Sequence, residues 1–555
     1  MTPAELSAAL SSVLDDVIAS GALDVAADRR PGAVAIERPK SADHGDYSTN
    51  IALQLAKPAG RSPREVAQLL APQIERLPGV AAVEIAGPGF LNITLDDAAQ
   101  GELARTVVRL ADGYGRSDAS RSQRVNLEFI SANPTGPLHL GHTRWAAVGD
   151  AMARVIEATG AEVAREFYIN DRGVQMDRFG DSIKAAAHGL PAPADGYHGG
   201  YITDLAAAIV ADHPEFLSLP DDEQMVAFRD EGYARQLRQQ QEVLSLFRTE
   251  FDVWYSERSL YESGAVERGL ARLREMGHVF EQDDAVWLRT TDFDDDKDRV
   301  LVKSDGETTY FASDTAYYVD KRTRGFDLAI YLLGADHHGY VNRLRAMASC
   351  AGDNPDQHIE VLIGQLVKMH RGGQEVRLSK RRGEIVSLED LVDEVGVDAA
   401  RYTLCRYPVD SPLTLDLDLL VRQTNDNPVY YVQYAHARIS SLLRNADGLG
   451  LSVDLEAFDP ALLSHDREGD LLGSIGEFPR VVASAAELRE PHRVARYLEG
   501  LATAYHRFYD VCRVLPRGDE EVSDVHRSRL VLCAATRQVL ANGLDLLGVS
   551  APERM

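Results

Sequence analysis

The segment Ser131-Ala132-Asn133-Pro134-Thr135-Gly136-Pro137-Leu138-His139-Leu140-Gly141-His142 constrains this chain most, because of what surrounds it. Val125-Asn126-Leu127-Glu128-Phe129-Ile130 before it reads as a strand. After it, Trp145, Val148, Met152 and Val155 recur at helical spacing, and Glu166-Phe167-Tyr168-Ile169 reads as a second strand. Strand, loop, helix, strand in that order points to a parallel α/β sheet. In such sheets nucleotides bind in the crevice beyond the strand C-terminal ends. A helix N-terminus there offers unpaired N–H groups and partial positive charge to phosphate. His139 and His142 can add donors, and Gly141 lets a ligand near the backbone. Without a ligand the same histidines read simply as a helix cap.

More than two hundred residues later comes Arg377-Leu378-Ser379-Lys380-Arg381-Arg382-Gly383. Fixed positive charges on a glycine-bounded loop suit a pyrophosphate leaving group. Taken alone, such a run is a solvated face.

Charge decides little about partners. The formal net charge of −27 argues against general adhesion to DNA or to an anionic membrane, yet local Lys/Arg patches suffice for an RNA. Cys350, Cys405, Cys512 and Cys533 are widely spaced, which suits reduced, buried thiols better than a zinc site or a disulfide framework. Asp292, Asp294, Asp295 and Asp296 read as a solvated acidic turn, with cation chelation as the alternative. Thr2-Pro3-Ala4-Glu5 reads as a capping box opening a helix with Leu6, Leu10, Val13 and Val17 on one face, not as a signal peptide. No stretch is long and apolar enough to span a bilayer, so a cytoplasmic protein is expected.

Residues 1–112 mix helix and strand signals, including two short strands, 83–86 and 90–95, around Gly87-Pro88-Gly89. The polar run 112–122 reads as a linker. Residues 120–415 carry the α/β pattern, interrupted by a helical insertion over about 186–290, with further strands at 300–302, 328–333 and 360–363. Residues 416–555 are helical and amphipathic. Tyr430, Tyr431, Tyr434, His436 and Arg438 fall on one of these helices, as core or as stacking platforms for unpaired bases.

Together, His139-Leu140-Gly141-His142 and Arg377-Leu378-Ser379-Lys380-Arg381 resemble the paired class I aminoacyl-tRNA synthetase signatures usually written HIGH and KMSKS. In the second, Arg377 stands for the first lysine and Leu378 for the methionine, while Lys380 matches the lysine tied to the transition state. The resemblance sharpens to arginyl-tRNA synthetases over nearly the whole chain. It rests on 128–134, on Phe167-Tyr168-Ile169-Asn170-Asp171 with Gly173 and Gln175, and on Thr309-Tyr310-Phe311-Ala312-Ser313-Asp314 and Gly334-Ala335-Asp336-His337-His338-Gly339, which look like later active-site strands. Asp43-His44-Gly45-Asp46-Tyr47-Ser48-Thr49-Asn50 and the terminal Ala551-Pro552-Glu553-Arg554-Met555 look like the same family.

The resemblance implies a Rossmann-type parallel-sheet catalytic domain (120–415), an α+β N-terminal domain (1–112) touching the tRNA elbow, and an all-α C-terminal domain (416–555) gripping the anticodon. It implies ATP and Mg²⁺, arginine and tRNA(Arg) as partners, no membrane, no DNA, no structural metal, and a monomer. Catalysis would fall to His139, His142 and Lys380. Glu128, Tyr310 and Asp314 would surround the arginine side chain, since a guanidinium fork wants carboxylates and an aromatic face. His338, where many relatives carry glutamine, would join them. Ser131, Asn133 and His142 would hold the amino-acid end. Gly141, Gly334, Asp336, His337, Arg377 and Ser379 would contact ATP beside His139, His142 and Lys380. The competing readings are a lysine or cysteine synthetase, a small-molecule adenylyl-forming ligase, and a non-catalytic RNA-binding relative. A decayed site would have lost His139, His142 or Lys380, and all three are present.

Overall fold

The structure is a computed structural model describing residues 3–39, 44–375 and 387–555. The first helix, Pro3–Ala19, buries Leu6, Leu10, Val13 and Val17, as their spacing predicts. It packs in one core with a small antiparallel sheet of β1 (Tyr47–Thr49), β2 (Val80–Ala86) and β3 (Phe90–Leu95), ordered β1-β3-β2. The β2–β3 turn is the expected glycine-proline one; Gly87 (φ 49°) and Gly89 (φ 149°) take backbone angles that other residues resist.

The polar run 112–122 is not the loose linker its composition predicts. Tyr114 is buried, its ring stacked on Phe478 with centroids 6.1 Å apart, and its hydroxyl donates to Ile475 O at 3.0 Å. Asn542 donates to both Ala111 O and Tyr114 O at 3.0 Å. The Asp97–Leu110 helix meets the C-terminal region at a second place, where Arg105 donates to Phe458 O at 2.8 Å, in the loop before Pro460, and lies over that ring.

The central sheet begins with β4 (Arg124–Glu128), β5 (Glu162–Ile169) and β6 (Val253–Ser256). A separate antiparallel sheet of β7 (Val279–Gln282), β8 (Ala285–Leu288) and β9 (Arg299–Val302) follows, and then β10 (Leu328–Gly334) and β11 (Ile359–Gly364) complete the central sheet. Its order is β11-β10-β4-β5-β6, parallel throughout, with the Leu140–Glu157 helix crossing from β4 to β5.

Two expectations change here. The helical insertion does not run to 290: after the helices Gly200–Asp212 and Asp221–Leu246, β6 enters the sheet as its edge strand. Trp254 stacks on Phe167 and Tyr255 on Tyr168, so cross-strand aromatic pairing outweighs the helical surroundings. The strand at 300–302 exists, but as β9 of the antiparallel sheet.

Beyond β11 the chain makes β12 (Val367–Arg371), β13 (Gln374–Glu375) and β14 (Leu413–Asp416), with β12 antiparallel to β13 and parallel to β14. The remainder is helical, with Pro428–Gly448, His492–Val511 and Asp524–Leu546 the longest elements. Tyr430 and Tyr434 stack on the first of these, with Tyr434 also against His506, while His436 is buried with its Nδ1 against Pro552 O. All four cysteines are free and buried. Among the described residues no helix is long and apolar enough to cross a membrane.

Candidate active site

The cleft opens where β4 ends. Ile130 (φ 68°) and Ser131 (φ 45°) take left-handed backbone angles that branched side chains resist. That turn folds Ser131 back, so that its hydroxyl donates to Glu128 Oε1 at 3.0 Å and accepts from the Tyr168 N–H at 3.2 Å. The loop beyond is clamped by the helical insertion. Gln240 donates to Asn133 O (3.1 Å) and Gly136 O (2.8 Å), and Tyr201 donates to Thr135 O (3.1 Å). Asn133 itself is exposed.

His139 is the N-cap of the Leu140–Glu157 helix, its Nδ1 accepting from the Gly141 N–H at 3.1 Å. The Nδ1 of His142 accepts from the His139 N–H at 3.3 Å, and the rings stack with centroids 3.8 Å apart. An accepting Nδ1 leaves the proton on Nε2. Burial lowers the pKa of both, and with the His139 ring beside it His142 falls to about 3. Both imidazoles are therefore neutral donors at physiological pH. The capping and phosphate-donor readings coexist, one on each nitrogen. Gly141 has a reason the sequence did not reveal: a Cβ there would meet His139 Cε1 at 2.8 Å.

Thr309–Asp314 is not a strand. Thr309 caps the Tyr310–Thr323 helix through the Ala312 N–H, so Tyr310 and Asp314 stand one turn apart on a helix. The Thr309 hydroxyl competes with strand pairing and wins, as N-cap residues do. Tyr310 is 72% exposed, while Asp314 is half-buried and accepts from Tyr340 Oη at 3.1 Å. Burial pushes Asp314 up to about 7, with Glu128 and Glu257 adding repulsion.

Residues that sequence reasoning missed complete this wall. Lys321 Nζ, fully buried, donates to Glu128 Oε2 at 2.6 Å and lies over the rings of Tyr317 (4.2 Å) and Tyr331 (3.9 Å). It sits two helical turns after Asp314, a spacing that places both on one face and could have revealed it. Glu257, buried at the start of a short helix after β6, is pushed up to about 7, chiefly by burial and against the pull of Arg172. No local motif flagged it.

Gly334 closes β10, and Asp336, His337 and His338 follow, exposed, on a short 3₁₀ helix, Ala335–Tyr340. Among the described residues no hydrogen bond joins Tyr310, the Asn133 side chain or His338 to the Glu128 cluster. Of the acidic turn at 292–296, Asp295 is buried rather than solvated, and Asp295 and Asp296 pair with Arg299.

Arg377, Ser379 and Lys380 lie outside the described residues. Their chain neighbours do not: Ser387 forms an antiparallel bridge with His139, and the Leu388 N–H donates to Leu138 O at 2.8 Å. The chain thus re-emerges from the basic segment against the histidine turn.

Comparison with known proteins agrees with this architecture. Residues 4–95 match the arginyl tRNA synthetase N terminal domain, 106–185 and 221–406 the catalytic domain of class I (R) tRNA synthetases, and 432–555 the DALR anticodon binding domain. A Frankia alni protein named arginine–tRNA ligase is 59% identical over 555 residues, all of both chains.

The chain belongs to the class I arginyl-tRNA synthetases.

A Kineococcus radiotolerans protein of the same name is 57% identical over its whole length. Among solved structures of the family, one from Campylobacter jejuni is 30% identical with a TM-score of 0.76, covering 83% of this chain and 100% of that one. The Thermus thermophilus arginyl-tRNA synthetase, 23% identical with a TM-score of 0.76 over 100% of both chains, has the same fold. This arginyl-tRNA synthetase thus pairs a parallel-sheet catalytic domain with a helical C-terminal region.

Proposed function

We propose that the cleft between the histidine turn and the Glu128–Asp314 wall is where this arginine–tRNA ligase activates arginine with ATP and passes it to tRNA(Arg). The reaction is ATP-dependent attachment of L-arginine through an arginyl-adenylate, releasing pyrophosphate and AMP. One observation carries the assignment of place: the loop leaving the C-terminal end of β4, the strand that ends in the Lys321-paired Glu128, leads directly to two stacked, neutral imidazoles at a helix N-terminus.

The arginine carboxylate attacks the α-phosphorus in line, so positioning and charge stabilisation do most of the work. The Nε2–H groups of His139 and His142 donate to the phosphates, with Lys380 supplying positive charge and Arg377 and Ser379 beside it. Gly141 keeps the helix start open, and Gly334, Asp336 and His337 lie toward the adenosine. Asp314 and Tyr310 take the guanidinium. Glu128 shares that role while anchored by Lys321, and His338 stands at the rim. Ser131, Asn133 and His142 hold the amino-acid end. Among the described residues no three His, Cys, Asp or Glu are grouped to hold a metal. Mg²⁺ would enter with ATP and would help neutralise the charge on its phosphates, beside the donors of His139, His142 and Lys380.

Transfer then goes to the terminal 2′-hydroxyl, with activation dependent on bound tRNA. Residues 1–112 are assigned to the tRNA elbow, 120–415 to catalysis and 416–555 to the anticodon. The protein is read as a cytoplasmic monomer without a DNA ligand. Aminoacylation of total tRNA with each amino acid in turn tests the reading. Charging with arginine alone supports it, whereas charging with lysine, or rapid ATP–pyrophosphate exchange with arginine in the absence of tRNA, contradicts it.

A further inference from the structure

Arg144 opens the second turn of the signature helix, two residues after His142, and is 2% exposed. Its guanidinium donates to three carbonyls: Nη1 to Gln365 O (3.2 Å) and Ser411 O (2.7 Å), Nη2 to Pro408 O (2.6 Å). Among the described residues it faces no carboxylate within ion-pair distance, and its Nε has no partner. Removing a cation from water is expensive, and carbonyl dipoles alone return little of that cost. Burial accordingly pulls its pKa down to about 10, against the opposing influence of Cys405 and Asp410. A buried charge kept at such a disadvantage calls for a role beyond filling space.

The three carbonyls are not scattered. Gln365 lies between β11 and β12, and Pro408 and Ser411 precede β14, the parallel partner of β12. The two segments are tied to each other as well, Gln365 N to Val409 O (2.8 Å) and Leu413 N to Leu366 O (3.2 Å). Arg144 therefore holds the roots of both parallel strands of the small sheet against the turn that carries the histidines. The next residue, Trp145, grips the same place: a Cβ on Gly364 would meet its ring at 2.5 Å. On the far side of the basic segment, Ser387 and Leu388 are fastened to His139 and Leu138. Both flanks of that segment are thus registered on one helix turn. A planar fork can join three carbonyls from two segments, which a lysine ammonium does less well.

We propose that Arg144 is a positioning residue for adenylate formation: it sets the root of the β12–β14 sheet relative to the His139–His142 turn. The inference rests on the role proposed above for Lys380.

The test is a double-mutant cycle of Arg144→Met and Lys380→Ala, read as tRNA-dependent ATP–pyrophosphate exchange per titrated active site, with ATP KM and melting temperature beside it. Arg144→Met is expected to lower kcat on the order of tenfold or more, as for a misplaced reacting geometry, with ATP KM nearly constant. Arg144→Lys should recover part of that loss. In the Lys380→Ala background Arg144→Met should cost little further, because coupled groups are not additive. Full multiplication of the two losses, or an unchanged kcat in Arg144→Met, would overturn the proposal while leaving the role of Lys380 intact. No loss in Lys380→Ala alone would sink the reading of the basic segment, and this proposal with it. If Arg144→Met does not fold, Arg144→Lys carries the same cycle.

Discussion

Lys321 Nζ stands 2.6 Å from Glu128 Oε2, so a helix lysine underpins a carboxylate from the end of the first central strand. Removing one partner strands the other in a buried site. Lys321→Met is expected to cost about 3–5 kcal/mol of stability, whereas the paired change with Glu128→Gln should restore most of it. Urea unfolding checks both. The double variant should still bind arginine poorly, and recovery of affinity with stability would remove Glu128 from the substrate pocket.

A pH effect follows from Asp314 and Glu257. Each is raised to about 7 in the free protein, so below that pH each holds a proton. A bound guanidinium favours the ionised carboxylate. Arginine affinity should therefore rise as pH increases through about 7, with protons released on binding, and Asp314→Asn should lose affinity and flatten the dependence. Calorimetry in buffers of different ionisation enthalpy reads the proton count. The sign for folding is opposite: Asp314 binds its proton more tightly when folded than an ordinary aspartate at 3.8, so the ligand-free chain loses stability from this group as pH rises from about 4 to about 7.

Gly141→Ala places a Cβ 2.8 Å from the His139 ring. The imidazole must swing away, and a donor displaced by about 1 Å can cost on the order of a hundredfold in rate. Exchange kinetics should show that loss with the melting temperature close to that of the parent. An unchanged rate would mean the His139 ring has no part in the reaction.

Lys380→Ala is expected to slow activation on the order of a hundredfold, as for one lost preorganised donor to developing charge. Single-turnover formation of arginyl-tRNA from preformed adenylate should be affected far less, and equal losses in both steps would contradict a role confined to pyrophosphate departure.

Much of this was legible in the sequence because the relevant signals are local. A strand, a glycine-proline loop and a histidine-capped helix announce the β4 crossover, and the alternation over 83–95 announces its hairpin. Of three misreadings, two come from tertiary pairing overriding local pattern and one from a local helix cap outweighing strand pattern. Val253–Ser256 became a sheet edge through aromatic partners 87 positions away in register, Phe167 opposite Trp254. Tyr310–Asp314 became helical once Thr309 found its cap. Tyr114 sits in a polar run, and only Phe478 and Ile475, far along the chain, explain its burial. Lys321 and Glu257 carry no motif; their importance lies in what they face.

The anchoring of Tyr114 and Arg105 on the C-terminal region has a mechanical corollary. Parts of the chain remote in sequence are fastened to each other directly, so a force applied at one is felt at the other without passing through the chemistry. A partner touching both would then meet a caliper whose jaw spacing is set before it arrives.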